Sequence, residues 1–195
     1  MKKLLLATTL FLSLSFLGST DEVNANTTHT VKSGDTLWKL GVQYGVPVNS
    51  IKSTNNKSTN LLLVGERLQI PSSLTSNEKD LLARLVRAEA EGEPYAGKVA
   101  VATVVLNRVD SSLFPNSLWG VINEVSGGYY AFSPVQNGRI NRASDADSRR
   151  AVEEALAFRG QGSGSLYFYN PAKTSNQWIR TRPVTVTIGN HVFAR

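Results

Sequence analysis

Apolar residues recur at helical spacing in the middle of the chain, and this pattern predicts its main helices. The clearest stripe consists of four residues that share one helix face: Leu81, Leu82, Leu85 and Val86. Thr75 and Glu78 have the spacing of a capping box, which places the start of this helix near Ser76. The same kind of pattern predicts an amphipathic helix over residues 144–158, which Gly160 ends.

Two other segments are more ambiguous, and the period changes towards the C-terminus. Residues 96–109 are rich in valine and could form a strand, but the length of the segment favours a buried helix. Residues 117–125 are predicted as a further helix that bears Trp119 and Ile122. Residues 166–169 are strand-like, and residues 183–188 and 191–193 around Gly189-Asn190 are typical of a hairpin.

The segment before this helical region is predicted to be a separate small βααβ unit over residues 29–71. A short strand at residues 30–31 opens it, and Asp35 is expected to cap a helix over residues 36–44 that Gly45 ends. A second short helix runs through residue 52, and residues 67–70 form the closing strand. We therefore expect an α+β chain whose second domain, residues 75–195, is mainly helical with a small antiparallel sheet.

The N-terminus has the form of a secretory signal peptide, residues 1–25. Lys2 and Lys3 precede a short apolar run, and small side chains at Val23 and Ala25 suit cleavage after Ala25. The alternative is an uncleaved membrane anchor, which the acidic pair Asp21-Glu22 near the cleavage site disfavours. We expect a secreted monomer without stable membrane insertion.

The amino-acid composition limits the kinds of catalytic site that the chain can form. The chain of 195 residues has no cysteine, two histidines and a formal net charge of +6. A cysteine peptidase is excluded, a zinc amidase has too few histidine ligands, and no nucleophile elbow accompanies His191. A basic exported protein is attracted to anionic polymers, although charge alone does not say which. Carboxylate chemistry on a glycosidic bond remains, without cofactor or metal.

Three glutamates lie within five residues at the end of the predicted helix, and only Glu89 falls on its apolar face. Glu91 points elsewhere, and Glu93 lies in the turn that Gly92 and Pro94 mark. A carboxyl group on an apolar face has a raised pKa, which suits a general acid. The alternative is a buried structural pair with one of three arginines: Arg84, Arg87 or Arg108.

The N-terminal unit resembles a LysM module. The resemblance rests on SGDTLW at residues 33–38, on the Asn55-Asn56 pair and on LLLVGERLQIP at residues 61–71. It implies binding of glycans that contain N-acetylglucosamine. The implied groove is formed by two short segments: Gly34, Asp35 and Thr36 facing Leu61, Leu62, Leu63 and Val64. The alternative is that the second segment only fills the core of a small domain.

Residues 75–195 resemble the SleB/CwlJ-type cell wall hydrolases. Four separated motifs carry the resemblance: residues 89–109, AFSPVQNG at 131–138, LYFYNP at 166–171 and IGNHVF at 188–193. The family implies a lysozyme-like catalytic domain in which Glu89, the first glutamate of the Glu-x-x-Gly-Glu-Pro motif, is the catalytic acid. This chain departs from the family pattern with Ala88 and Glu91, and Glu91 adds a negative charge near Glu89.

The resemblance also suggests which segments border the substrate groove. We expect three residues to bind substrate: Gln136, Tyr169 and Asn170. Aromatic residues cluster around them, although each aromatic side chain taken singly is more often part of the core than a surface on which a sugar ring stacks. His191 is interpreted as a structural residue of the hairpin.

Together these patterns predict a secreted enzyme that LysM holds on peptidoglycan and that cleaves between N-acetylmuramic acid and N-acetylglucosamine. We do not expect the protein to bind nucleic acid. A second acid would have to be one of four residues, Glu93, Glu124, Asp145 or Asp147, and none lies on a second apolar stripe. This favours a lytic transglycosylase with one glutamate. The alternatives are a hydrolytic muramidase and an inactive peptidoglycan-binding protein.

Overall fold

The computed structural model describes residues 27–195, so the predicted signal peptide, residues 1–25, lies outside the described residues. The helices of this part are α1 Leu37–Tyr44, α2 Val48–Thr54, α3 Ser76–Ala90, α4 Tyr95–Asp110, α5 Leu118–Ile122, α6 Ser133–Gln136, α7 Ala146–Phe158 and α8 Gln177–Arg180. A 3₁₀ turn, Arg139–Asn141, follows α6. No helix between residues 27 and 195 has the length and apolarity needed to span a bilayer.

The strands form three small antiparallel sheets. They are β1 Thr27–Thr30, β2 Arg67–Ile70, β3 Val125–Ser126, β4 Tyr129–Tyr130, β5 Tyr167–Tyr169, β6 Val184–Ile188 and β7 His191–Ala194. β1 pairs with β2, β3 pairs with β4, and β7 lies between β5 and β6. This mainly helical architecture with small antiparallel sheets confirms the predicted α+β class.

The first four elements after the N-terminus close around a small core of their own. β1 and β2 pair along their whole length, and α1 and α2 cover one side of the pair. The core is aliphatic and consists of Val31, Leu37, Leu40, Val46, Ile51, Leu68 and Ile70. The predicted strand at residues 67–70 is confirmed, whereas the first strand begins and ends earlier than residues 30–31.

The cap of α1 differs from the prediction. Thr36, not Asp35, is the N-cap residue, and its side chain accepts a hydrogen bond from the Lys39 amide at 3.1 Å. The Asp35 carboxylate is occupied by the Lys32 amide and by the His29 ring, each at 2.8 Å. Because the His29 ring of β1 and the Lys32 amide occupy the Asp35 carboxylate, the adjacent Thr36 caps the helix.

The larger core lies between α3, α4 and α7, with α5 and the C-terminal sheet around it. The capping box of Thr75 and Glu78 is present at the start of α3, as predicted. The valine-rich segment is helix α4, and its valines Val101, Val104 and Val105 are fully buried. Burial on several sides therefore overrides the local strand propensity of valine.

The predicted helix over residues 117–125 is too long. α5 has Ser117 as N-cap but ends at Ile122, and Val125 belongs to β3. β3 and β4 form a hairpin whose turn, Gly127-Gly128, has φ of 58° and 83°. Two consecutive residues with positive φ suit glycine, and the sequence pattern did not predict this hairpin.

Candidate active site

Glu89 lies in the last turn of α3, on the stripe that packs into the larger core. Its neighbours on that face, Leu85 and Val86, are fully buried, and Glu89 itself is partly buried. Within residues 27–195 its carboxyl group makes no hydrogen bond and no salt bridge. Burial raises the pKa of Glu89 to about 7, against the opposing effect of the Arg139 and Arg108 charges. The group can thus hold a proton near neutral pH.

The structure does not contain the predicted alternative, a direct ion pair between Glu89 and a nearby arginine. Arg84 pairs with Asp80 at 3.0 Å, and Arg87 lies 3.7 Å from Asp145. Arg108 donates from Nε to the Leu166 carbonyl oxygen at 2.7 Å. Each candidate partner is therefore engaged elsewhere, which leaves the Glu89 carboxyl available.

Arg108 is a buried cation beside Glu89, held between aromatic rings. Its guanidinium carbon lies 4.9 Å from the centre of the Phe114 ring, 5.1 Å from that of Phe132 and 5.7 Å from that of Tyr167. Aromatic faces attract a cation, so they partly compensate for its burial. Burial still lowers the pKa of Arg108, and the charge of Glu124 opposes that effect most strongly. A fixed positive charge therefore lies where it can stabilise the Glu89 carboxylate.

Glu91, the departure from the family pattern, lies on the solvent side of the helix end. Its carboxylate accepts hydrogen bonds from Arg139 at 3.2 Å and from Arg142 at 3.3 Å. These contacts, led by the hydrogen bond from Arg142, lower the pKa of Glu91. Its charge is thus balanced by two arginines, and it helps to hold Arg139 beside Glu89. Arg139 was not among the predicted site residues.

Glu93 has a structural contact, as its place in a turn suggested. Its carboxylate accepts hydrogen bonds from the Asn190 amide at 2.8 Å and from Asn190 Nδ2 at 3.2 Å. Gly189 precedes this contact with φ of 57°, and a Cβ there would lie 2.2 Å from Glu93 Oε2. The C-terminal hairpin is therefore fastened to the turn between α3 and α4 by Glu93.

The other predicted second acids differ in their surroundings. Asp145 caps α7 through the Ser148 amide at 2.7 Å. Asp147 lies 3.6 Å from Lys98 and 3.7 Å from Arg150. Glu124 is partly buried and, within residues 27–195, makes no side-chain hydrogen bond or salt bridge. Glu124 thus remains the acidic side chain that could act together with Glu89.

The three predicted substrate-binding residues lie on separate elements. Gln136 is exposed at the end of α6, which packs against α3, the helix of Glu89. Tyr169 ends β5, the strand that begins with Tyr167 next to Arg108. Asn170 follows, and its side-chain oxygen accepts the Ala172 amide at 2.9 Å, so part of its bonding capacity is used in a turn. Contact with substrate stays a prediction for all three.

The aromatic residues divide into core and surface. Phe132 is 2% exposed and belongs to the core. Tyr129 on the β3–β4 hairpin is 74% exposed, and Trp178 is 50% exposed, with its ring edge-on to Tyr167. His191 is buried at the start of β7 between Phe168 and Phe193, which agrees with a structural residue.

The predicted LysM groove has an open apolar side. Leu61, Leu63 and Val64 are 66%, 63% and 73% exposed, whereas Leu62 packs against the small core. Glu66 shapes this segment because its carboxylate accepts the Leu63 amide at 3.1 Å and lies 2.6 Å from Lys57 Nζ. Three of the four aliphatic side chains are therefore free to contact a ligand. On the predicted other side of the groove, Gly34 has φ of 85° in the turn before Asp35 and Thr36.

In chemical terms, the end of α3 combines a carboxyl group with a raised pKa and two cations that can stabilise its ionised form. This is the arrangement of a group that gives a proton and later takes one back. Between residues 27 and 195, no cluster of three or more acidic, histidine or cysteine side chains has the geometry of a metal site.

Comparison with known proteins shows similarity to cell wall hydrolases and to LysM domains. The profile of a family described as Cell Wall Hydrolase matches residues 92–194, and the LysM domain profile matches residues 29–71. The residues that match the Cell Wall Hydrolase profile begin three positions after Glu89. The match therefore does not include Glu89, and the role of Glu89 is argued from its surroundings in the structure.

Curated relatives and solved structures extend the likeness. A spore cortex-lytic enzyme of Bacillus cereus is 38% identical over 144 residues, which is 74% of this chain and 51% of the relative. One of Halalkalibacterium halodurans is 41% identical over 124 residues, 64% of this chain and 36% of the relative. This chain thus spans a third to a half of the length of these relatives. The solved catalytic domain of the germination-specific lytic transglycosylase SleB of Bacillus anthracis is 38% identical and covers 65% of this chain and 100% of that domain, with a TM-score of 0.58.

Proposed function

This chain belongs to the cell wall hydrolase family, and on that premise we propose that it cleaves the glycan strand of peptidoglycan with Glu89 as its catalytic acid. The cleaved bond is the one between N-acetylmuramic acid and N-acetylglucosamine. The observation that carries the proposal is the Glu89 carboxyl, which is unpaired within residues 27–195 and has a pKa raised to about 7. Similarity to a solved catalytic domain, that of the germination-specific lytic transglycosylase SleB of Bacillus anthracis, supports it.

The proposal divides the chain by task. Residues 1–25 direct export, residues 29–71 bind N-acetylglucosamine-containing glycan, and residues 75–195 carry out the cleavage. The exposed side chains of Leu61, Leu63 and Val64 support the second assignment because sugar rings pack on apolar surface. Wall polymers are anionic, and the net charge of +6 supports retention on them.

The first step transfers the proton of Glu89 to the glycosidic oxygen. The bond between that oxygen and the anomeric carbon of N-acetylmuramic acid breaks, and the N-acetylglucosamine side departs with a free hydroxyl. The anomeric carbon becomes cationic, and the acetamido group of the same sugar supports it. Glu89 is now a carboxylate, and the charges of Arg139 and Arg108 stabilise it in this form.

The second step returns the proton. The 6-hydroxyl of the muramic acid attacks the anomeric carbon, and the Glu89 carboxylate takes the proton that this hydroxyl releases. The product is a 1,6-anhydro sugar, and Glu89 is again neutral. One carboxyl group therefore serves as acid and then as base, without a water molecule in the reaction.

Glu124 supports a second candidate, a hydrolytic muramidase. Hydrolysis by two carboxylates needs a second acidic group across the bond, and Glu124 has no bonding partner among residues 27–195. Its charge acts on Arg108, which in turn acts on Glu89. In this alternative Glu124 would activate water or bind the sugar cation, and the product would have a reducing end.

Digestion of purified sacculi followed by mass spectrometry tests the proposal. The wild type should release anhydro-muropeptides, Glu89→Gln should release none, and Glu124→Gln should retain the anhydro products. Reducing-end products that disappear in Glu124→Gln would instead establish the hydrolytic alternative. Wall binding without any released product would identify an inactive peptidoglycan-binding protein.

A further inference from the structure

The glycan-binding unit is packed directly onto the catalytic unit, helix against helix. α1 lies on α7, and Gly41 of α1 faces Ala157 of α7. A Cβ added to Gly41 would lie 3.1 Å from the Cβ of Ala157 and 3.0 Å from the Val46 carbonyl oxygen. Ala157 is fully buried. Two small residues therefore allow the two helices to touch along their backbones.

Polar contacts fasten the end of the same helix. Lys79 Nζ donates to the Tyr44 carbonyl oxygen and to Glu153 Oε2, both at 3.3 Å. The Ser73 hydroxyl donates to the Gly45 carbonyl oxygen. Gly45 has φ of 62°, and a Cβ there would lie 1.9 Å from Glu153 Oε2, so in this position the carboxylate lies directly against the glycine backbone. Ser73 of the linker and Lys79 of α3 thus bind the C-terminal end of α1, and Glu153 of α7 binds Lys79.

An aromatic contact and a short joint complete the interface. The rings of Trp38 and Phe158 meet edge to face, with centres 6.5 Å apart. Five residues, 71–75, separate β2 from α3, and Ser73 among them is hydrogen-bonded. A linker this short restricts movement of the N-terminal unit away from the surface of α7.

The interface leaves the groove of the small unit open. The exposed fractions of Leu61, Leu63 and Val64, all above 60%, are those of the docked chain. Glu89 lies at the far end of α3 from the joint, about 20 Å away along the helix axis. The groove and Glu89 therefore belong to one docked body, and the separation between them is set by the α1–α7 contact.

We propose that this docking determines where along a bound glycan strand the cut falls. The inference rests on the proposed function of both units. A binding module on a loose tether raises the local concentration of substrate and leaves the site of cleavage open. A module held at a fixed position presents the strand in one register, so the products have a preferred length.

Spin labels test the docking itself. The chain has no cysteine, so Thr54→Cys and Ser112→Cys place one label on an exposed position of each unit. The distance between the labels should have a single narrow distribution in the wild-type background. Ala157→Arg, which forces a long charged side chain between α1 and α7, should broaden it. Ala146→Arg, the same change at an exposed position of α7, should not. A broad distribution in the wild type would overturn the proposal.

A charge reversal provides a second variant that avoids the core. Lys79→Glu faces Glu153 with a like charge and should broaden the distance distribution. Lys79→Glu combined with Glu153→Lys restores an opposite pair and should narrow it again. Should Ala157→Arg fail to fold, these two proteins decide the matter. Distributions that are broad in both proteins and in the wild type would overturn the docking.

Product length tests the consequence for cleavage. Glycan strands freed of their peptides are digested, and the products are sized by chromatography. The wild type and Ala146→Arg should give a dominant length, whereas Ala157→Arg and Lys79→Glu should cut at a similar rate with a broad range of lengths. Equal length distributions in all four would refute the proposal while leaving the cleavage activity established. If none of the four proteins cleaves the glycan, the proposed function is wrong. The distances between the spin labels then remain as the test of the docking.

Discussion

The two units of this chain hold their acidic side chains in opposite ways. Asp35 and Glu89 are both partly accessible to solvent. Asp35 lies in the smaller unit and accepts hydrogen bonds from the Lys32 amide and the His29 ring, which lower its pKa. Glu89 lies over the large core, has no such partner within residues 27–195, and has a pKa raised to about 7.

The difference shows what decides the state of an acidic group. The pKa shifts are opposite because Asp35 has hydrogen-bond donors and little protein around it, whereas Glu89 lies over a deep core and has no donor within residues 27–195. The first group is an anion at neutral pH and stabilises a turn. The second can change its protonation state during a reaction.

The largest effect should come from Glu89→Gln. Glutamine keeps the shape of the side chain but cannot supply the proton, so the rate of release from sacculi should fall by about 10²-fold or more. Glu91→Gln and Glu93→Gln are matched controls two and four residues away, and each should lose far less activity. A turbidity assay on purified walls compares the four proteins. Wild-type activity in Glu89→Gln would remove Glu89 from the reaction.

The LysM groove should respond in binding and not in chemistry. In the inactive Glu89→Gln background, Leu63→Ser should weaken retention on walls by roughly tenfold, since an aliphatic side chain buried against ligand contributes about 1.5–3 kcal/mol. Asn60→Ala, at an exposed position near the groove, is the control. Pull-down at low salt measures both. Equal retention would assign another task to the exposed leucines.

The stability of the fold should depend on pH through Glu89. Its folded-state pKa of about 7 lies above the ordinary value of 4.5, so its contribution is favourable below pH 4.5 and is lost as pH rises through 7. Glu89→Gln should therefore stabilise the protein at pH 8, by about 1–3 kcal/mol, and have little effect at pH 4. Glu91 has a lowered pKa, and Glu91→Gln should show the opposite sign, a loss at pH 8 that shrinks in acid.

Denaturant unfolding at the two pH values measures this contrast. The same sign for both variants would contradict the assigned surroundings of Glu89 and Glu91.

The smallest effect is expected from Arg139, which interacts with both Glu89 and Glu91. Arg139 lowers the pKa of Glu89 and is bound by Glu91. Arg139→Gln should raise the pKa of Glu89 and move the alkaline limb of the rate profile to higher pH. Arg142→Gln removes the other partner of Glu91 and should leave that limb nearly unchanged. Profiles of kcat/KM against pH compare the two, and equal limbs would mean that Arg139 does not act on Glu89.

The sequence predicted most of this architecture because the signals are local. The apolar spacing and the capping box located α3 and placed Glu89 on its inner face. The β3–β4 hairpin escaped prediction because strands of two residues, exposed on both faces, show no period. Arg139 lies 50 residues from Glu89 in a turn without a helical pattern, so no spacing rule could bring them together. The cap at Thr36 depended on His29 from another element.

A carboxyl-detected NMR titration tests the central contrast most directly, because Asp35 and Glu89 report in the same sample. Carbon-13 chemical shifts of the side-chain carboxyl groups are followed from pH 2 to 9, and the spectrum of Glu89→Gln assigns the Glu89 signal. The midpoint of Glu89 should lie near 7, and that of Asp35 should lie below its ordinary value of 3.8. A Glu89 midpoint near 4.5 would contradict the account.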